Sequence, residues 1–196
     1  KILKTTNGGY TWEKIYEEEV MDYTRPRYMF FTTRDTGFLS VESPSPGDSA
    51  FILTTFNGGT TWSRKGYPGL YDIRQFAFFD PLHGMASTFT WEWLVTDDGG
   101  VSWNITTQPE DLNDLSIREM NFINSDTGFI LGNNGEETFL IYRTTDKGES
   151  WQQVYSIDKE VYFTDLIHYN DTCLELIISG GSGGNIEYFS SNDGGA

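Results

Sequence analysis

Three arginines stand at one phase of a repeating pattern. Arg27 opens RYMFFTTRDTGF (27–38), Arg74 opens RQFAFFDPLHGM (74–85) and Arg118 opens REMNFINSDTGF (118–129). Each lies ten residues before a glycine: Gly37, Gly84 and Gly128. A guanidinium is always charged and presents five N–H donors in a planar fork that matches a carboxylate or a phosphate. Three such side chains, carried to one position by a repeat, would form an anion-receptive patch. The same residues admit a second reading, in which each pairs with a nearby acid such as Asp22, Asp72, Asp114 or Glu119 and stabilises its own sheet. A fourth copy, FTDLIHYNDTCL (163–174), keeps the apolar spacing but has Phe163 in place of the arginine and Cys173 in place of the glycine.

Other residues with chemical potential are more scattered. His83 and His168 occupy different phases of the repeat with no carboxylate cluster around them, so they read as a turn residue and a strand residue. Asp97-Asp98 resembles a calcium ligand pair only superficially, because Asp98 has a turn role described below. Glu17, Glu18 and Glu19 form a solubilising charge run. The segment GGSGGN around Ser182 lacks the following helix that a phosphate loop needs, and reads as a hairpin turn. Strand alternation places Trp91 and Trp93 on one face, as packing or as an aromatic sugar platform, with packing expected. Asn104-Ile-Thr106 and Asn170-Asp-Thr172 are glycosylation sequons that matter only in a eukaryotic secretory setting. No residue takes a catalytic role, and no cofactor or metal is expected.

Composition narrows the partners. The chain has 196 residues and a net charge of −16, from 13 basic and 29 acidic side chains. Such a charge repels a phosphate backbone, which argues against nucleic acid. No apolar run approaches the ~20 residues that span a bilayer, so a membrane-spanning chain is not expected. One cysteine, Cys173, forbids an internal disulfide. With 6 Trp, 11 Tyr and 14 Phe there is ample apolar area for a core.

The element that must position the arginines is itself repeated. An eight-residue box reads TTNGGYTW at 5–12, TFNGGTTW at 55–62, TDDGGVSW at 96–103 and TTDKGESW at 144–151. A fifth copy, SNDGGA, ends the chain at Ala196. Its shared glycines, Gly9, Gly59, Gly100, Gly148 and Gly195, are 50, 41, 48 and 47 residues apart. In each box the Asn or Asp (Asn7, Asn57, Asp98, Asp146, Asp193) is expected to accept a backbone N–H two residues on. The glycine supplies a positive φ, and the tryptophan (Trp12, Trp62, Trp103, Trp151) is expected to bury against the neighbouring strand.

Between boxes the chain is β-branched and aromatic, with Asp-Thr-Gly, Pro-Gly and Asn-Gly-Gly turns and no convincing helical period. Around the second box, strands are expected at about 28–33, 38–42, 50–55 and 61–67. Four antiparallel strands per ~47 residues, repeated, is the signature of a β-propeller blade. The expectation is an all-β chain forming one propeller segment, 1–196. Its units are 1–16 (partial), 17–67, 68–107, 108–157 and 158–196 (partial). It reads as a partial ring of about four blades, an arc of a larger ring more than a compact four-bladed closure.

The box resembles the Asp box, or BNR repeat, of sialidases and many other propellers. The combination of R-x-x-x-F, D-T-G-F and a box ending in Trp resembles, over essentially the whole chain, the photosystem II stability/assembly factor family and its bacterial relatives. That resemblance implies a non-enzymatic scaffold. Its arginines would start the innermost strand of each blade, at the channel mouth, and hold a partner protein or an anionic small molecule or glycan. It also implies a location outside the cytoplasm: periplasmic, secreted or like the thylakoid lumen. The alternative is a sialidase-like glycoside hydrolase, which would need an arginine trio, a Tyr–Glu nucleophile pair and an Asp acid. Tyr23, Tyr71 and Tyr162 precede inner strands, but the Arg-Ile-Pro motif of that family is missing here, and Arg25-Pro26-Arg27 is not it.

Overall fold

The computed structural model describes residues 1–17, 25–42, 49–135, 138–158, 161–170, 173–180 and 185–191, with side chains described as far as residue 156. The last box residues, Asp193 and Gly195, and most of GGSGGN lie outside the described residues. The chain divides into two compact units, Lys1–Arg74 and Gln75–Ala196.

The first unit contains a two-stranded sheet, β1 (Ile2–Lys4) with β2 (Glu13–Tyr16). It also contains a four-stranded sheet, β3 (Arg25–Phe31), β4 (Gly37–Glu42), β5 (Ala50–Thr55) and β6 (Ser63–Tyr67). Strand β7 (Ile73–Phe78) begins at the division. It continues as a four-stranded sheet with β8 (Gly84–Thr88), β9 (Glu92–Thr96) and β10 (Asn104–Thr107). Next come β11 (Ser116–Phe122), β12 (Gly128–Asn133), β13 (Thr138–Thr144) and β14 (Gln152–Asp158). A three-stranded sheet, β15 (Val161–Asn170), β16 (Cys173–Gly180) and β17 (Asn185–Ser191), completes the described strands. In every sheet the strands neighbour one another in sequence order, so each is an antiparallel meander.

Strand limits differ from those expected at both ends of β3, by one residue at the start of β4, and at the start of β6. Strand β3 starts at Arg25, ahead of Tyr28, and so includes Pro26. This is possible because β3 is an edge strand with a bulge: Pro26 faces Val41, and the register shifts before Met29 faces Leu39. Strand β6 starts at Ser63 because Thr61 and Trp62 belong to the box turn. In the three-stranded sheet Asn170 faces Cys173, where its siblings pair Phe31 with Gly37 and Phe122 with Gly128. That copy has lost the geometry along with the Arg and Gly of the pattern.

The glycine of the repeat exists for a ring. A Cβ on Gly37, Gly84 or Gly128 would lie 2.4, 2.7 or 2.8 Å from the ring of Phe31, Phe78 or Phe122, at the end of the preceding strand. Each ring in turn meets the box tryptophan of its own sheet: Phe31 with Trp62, Phe78 with Trp103, and Phe122 with Trp151, at 6.4, 5.7 and 6.2 Å. This Phe–Gly–Trp stack ties the first strand to the turn before the last. Strands β4, β5, β8 and β12 are buried on both faces. In the first unit Leu39, Val41, Phe51 and Leu53 pack with Ile2, Ile15 and Trp62, joining the two sheets. In the second, Met85 and Trp93 pack with Ile117, Phe122, Ile130 and Trp151.

In the four described boxes the side-chain oxygens close the turn alike. In the second box Thr55 Oγ1 accepts the N–H of Gly59 at 2.8 Å, and Asn57 Oδ1 accepts the N–H of Thr61 at 2.9 Å. The side-chain oxygen thus reaches four residues on, not two. The indole N–H groups of Trp12, Trp62 and Trp151 each donate to the carbonyl of the box glycine at 3.1 Å. Two successive residues take a left-handed backbone: Gly58 and Gly59 at φ 65° and 87°, and Lys147 and Gly148 at 66° and 87°. The first of each pair donates its N–H to the turn after the first strand: Gly58 to Asp35, Gly99 to Leu82 and Lys147 to Asp126. Burial of the tryptophan holds for Trp103 and Trp151 and partly for Trp62, but Trp12 is 60% exposed. Its two-stranded sheet contains no strand that carries the partner phenylalanine.

Candidate anion-binding site

The bulge in β3 determines what Arg27 meets. One residue falls out of the ladder between Pro26 and Met29, and a bulge of this kind re-aims the side chains within it. Arg118 lies in an equivalent irregularity of β11, between Ile117 and Glu119. Arg27 Nη2 sits 2.8 Å from Glu42 Oε2, at the end of β4, and its Nε lies 3.7 Å from Asp72 Oδ1. Arg74, on β7, places Nε 3.2 Å from Asp72 Oδ2. The two guanidiniums therefore share Asp72, whose side chain is almost wholly buried, as is that of Glu42.

Burial without a partner would be costly for either carboxylate, and the arginines supply the compensation. Asp72 Oδ1 accepts no hydrogen bond; its charge is balanced by the nearby Arg27. Tyr71 hydrogen-bonds the Glu42 carboxylate, which pushes the phenol's pKa upward, with the charge of Asp72 adding and that of Arg25 opposing. Two cations and two anions cancel formally. The cluster is thus a clamped pair of guanidiniums and not a free positive patch. Arg27 is nonetheless 42% exposed, so part of its planar fork faces solvent.

Of the acids named as partners, Asp72 takes both Arg27 and Arg74, while Asp22 lies outside the described residues. Arg118 belongs to the second unit. Its side chain is exposed, and its backbone carbonyl accepts the Gln75 amide at 2.9 Å. Sequence reasoning missed Glu42. The signal was present in β4, where Phe38, Ser40 and Glu42 alternate on one face of a strand buried throughout.

The other candidates resolve simply. His83 is a turn residue, with Nδ1 at 2.8 Å from Asp80 Oδ2 and its ring stacked on Phe79. The carboxyl of Asp80 is held below the usual range by the Leu82 and His83 N–H groups and the His83 ring, against the opposing effect of burial. Trp91 and Trp93 do not share a face. Trp93, in β9, is 2% exposed and part of the core, whereas Trp91 lies in the preceding turn, 58% exposed at φ 47°. Alternation fails there because β9 begins only at Glu92. A cleft of about 550 Å³ in the first unit, lined by Ile2, Trp12, Ile15, Phe31 and Trp62, is bordered by the box turn and by none of the clustered arginines. Among the described residues no helix is long and apolar enough to cross a membrane, and no three His, Cys, Asp or Glu side chains are grouped to hold a metal ion.

No family profile matches the chain, and no curated protein does. Solved structures do. YCF48 bound to D1 peptide is similar over 84% of this chain and 50% of its own, at 21% identity and a TM-score of 0.62. YCF48 from Cyanidioschyzon merolae is similar over 87% and 54%, at 14% identity and a TM-score of 0.64. The Niastella koreensis GH74 enzyme is similar over 79% and 28%, at 14% identity and a TM-score of 0.56. The chain spans about half the length of the YCF48 structures it matches. Sequential four-stranded antiparallel sheets, together with this likeness, make the fold that of a β-propeller segment.

Proposed function

We propose that the chain is a non-enzymatic propeller scaffold that binds a partner protein or an anionic ligand at its channel face, outside the cytoplasm. Arg27, Arg74 and Arg118 would be the binding side chains. The observation that carries this reading is the state of Arg27, ordered by two buried carboxylates while its guanidinium stays partly exposed. A side chain already fixed loses less entropy when a ligand arrives. The fold likeness to a YCF48 structure bound to a peptide supports a peptide as the partner class.

The test compares a peptide ending in a free carboxylate with its C-amidated twin, titrated against the protein and its Arg27, Arg74, Arg118 triple-alanine variant. The carboxylate form binds more tightly, and the triple variant loses affinity about tenfold or more, as expected for charge-assisted hydrogen bonds. Equal affinity in both proteins removes the arginine site. A second reading, a sialidase-like hydrolase, is favoured by one observation: the Tyr71–Glu42 hydrogen bond beside two arginines. Against it, that contact raises the phenol pKa and so disfavours a phenolate nucleophile. Turnover of a fluorogenic sialoside that vanishes in Arg74→Ala would overturn the non-enzymatic reading.

A further inference from the structure

We propose that the hairpin joining β8 to β9 is a docking element for a cationic, arginine- or lysine-bearing segment of a partner protein, with Trp91 as the contacting aromatic. This site shares no residue with the arginine cluster and selects the opposite charge.

The hairpin is rigid. Thr88 Oγ1 donates to the Glu92 carbonyl at 2.7 Å and accepts the N–H of Thr90 at 3.2 Å. The carbonyl of Trp91 accepts the N–H of Gln108 at 2.8 Å, which fastens the tip to the segment following β10. On this fixed base the chain presents two large aromatics to water, Phe89 and Trp91. Trp91 does so from a left-handed backbone that a Cβ-bearing, bulky residue rarely adopts. A glycine would take that conformation without strain, as Gly135 does after β12 at φ 84°. A tryptophan here improves neither backbone nor core, and local strain of this kind persists at sites that bind.

The surroundings decide what it binds. Between Arg74 and Arg118 the sequence has no lysine or arginine, yet it holds Asp80, Glu92, Asp97, Asp98, Glu110, Asp111 and Asp114. Asp80 and Asp98 are engaged in their own turns, and Asp111 accepts the N–H of Trp151 at 3.0 Å. Glu92, beside Trp91, has one carboxylate oxygen buried without a hydrogen bond. Glu110 and Asp114, on the segment anchored to Trp91 through Gln108, are exposed. An exposed indole on a stretch of chain that carries seven acids and no lysine or arginine attracts a guanidinium or ammonium by cation–π contact and by charge, and repels anionic lipid and nucleic acid.

The test uses an N-acetylated, C-amidated peptide of alternating arginine and glycine, which has no carboxylate for the arginine cluster, and the same peptide with glutamine for arginine. Binding is followed by calorimetry at low and moderate salt. The arginine peptide binds the native protein, more weakly as salt rises, and the glutamine peptide does not. Trp91→Gly, which suits the backbone, weakens binding about fivefold or more. A Glu110→Gln, Asp114→Asn double variant, which leaves the hairpin untouched, also weakens it and flattens the salt dependence. The triple-alanine variant of Arg27, Arg74 and Arg118 binds the arginine peptide as the native protein does, so this result stands or falls apart from the proposed function. Three outcomes would overturn the inference: equal affinity in Trp91→Gly, equal binding of the glutamine peptide, or Trp91-dependent binding of a neutral glucan hexasaccharide with no response to the arginine peptide.

Discussion

The two units build the same turn from different chemistry. In the first unit the box residues are Asn7 and Asn57, whose amides donate to the hydroxyls of Thr11 and Thr61 at 2.8 Å. In the second they are Asp98 and Asp146, whose carboxylates accept from the hydroxyls of Ser102 and Ser150 at 2.6 Å. The hydroxyl reverses its role while the backbone bonds keep their length: Thr61 N–H to Asn57 at 2.9 Å, and Ser102 N–H to Asp98 at 2.9 Å. The turn therefore requires an oxygen at that point and can be built with either an amide or a carboxylate. The carboxylate adds a response to pH that the amide lacks. The units differ also in how well their tryptophans are covered, since Trp103 and Trp151 are buried while Trp12 stands in water.

The largest break in this comparison comes from the tryptophans. Trp103→Ala removes an indole packed on Phe76 and Phe78 and costs about 3–5 kcal/mol of stability. Trp12→Ala, at the exposed copy, costs under about 1 kcal/mol. Denaturant unfolding of the two variants measures the gap, and equal losses would mean that burial of the indole does not set what the box tryptophan contributes.

A middle-sized effect separates Asp from Asn boxes. The Ser102 hydroxyl and N–H hold the Asp98 carboxyl at a pKa of about 2, below the usual ~3.9 of an unfolded aspartate. A depressed folded-state pKa contributes stability that is present above about pH 4 and lost as pH falls toward 2. Asp98→Asn removes that dependence. It lowers stability near neutrality by on the order of 1–2 kcal/mol, with the difference shrinking below pH 3. Asp146→Asn behaves alike, its carboxyl being lowered chiefly by Ser150. Melting temperatures of native protein and variant from pH 2 to 6 check both, and parallel curves would exclude the carboxylate as the cause.

The smallest effect is a gain. Lys147 holds a left-handed backbone at φ 66° where the other described boxes have Gly8, Gly58 and Gly99. Its ion pair with Asp126 is exposed and 3.9 Å long, and so contributes little. Lys147→Gly stabilises by about 0.5–1 kcal/mol, read as a higher melting temperature.

Much of the fold was legible because the repeat multiplies each weak signal. A single Thr-x-Asn-x-Gly-x-Thr-Trp is an ordinary turn; the same letters at blade spacing specify which turn closes which strands. The glycine ten residues after each arginine was visible, but its partner was not, since the ring that forbids a Cβ at Gly84 belongs to Phe78 on a paired strand. The candidate site was only half legible. Arg27 and Arg74 stood out by phase, yet Glu42 looked like one more strand-end acid until β4 was found buried on both faces. Trp91 was misplaced for a local reason: periodicity extends a strand through residues that the chain uses to turn.

From its letters alone this chain declared an all-β repeat, a box turn every forty to fifty residues and arginines at a shared phase. These properties follow from backbone propensity and spacing, which are local. Tertiary structure decided that a bulge in β3 brings Arg27 to Glu42 and Asp72, that one indole of a close pair is buried and the other exposed, and that the same turn hydroxyl accepts from Asn but donates to Asp. Those outcomes depend on which distant atoms share a low-dielectric space, and no period in the sequence records that.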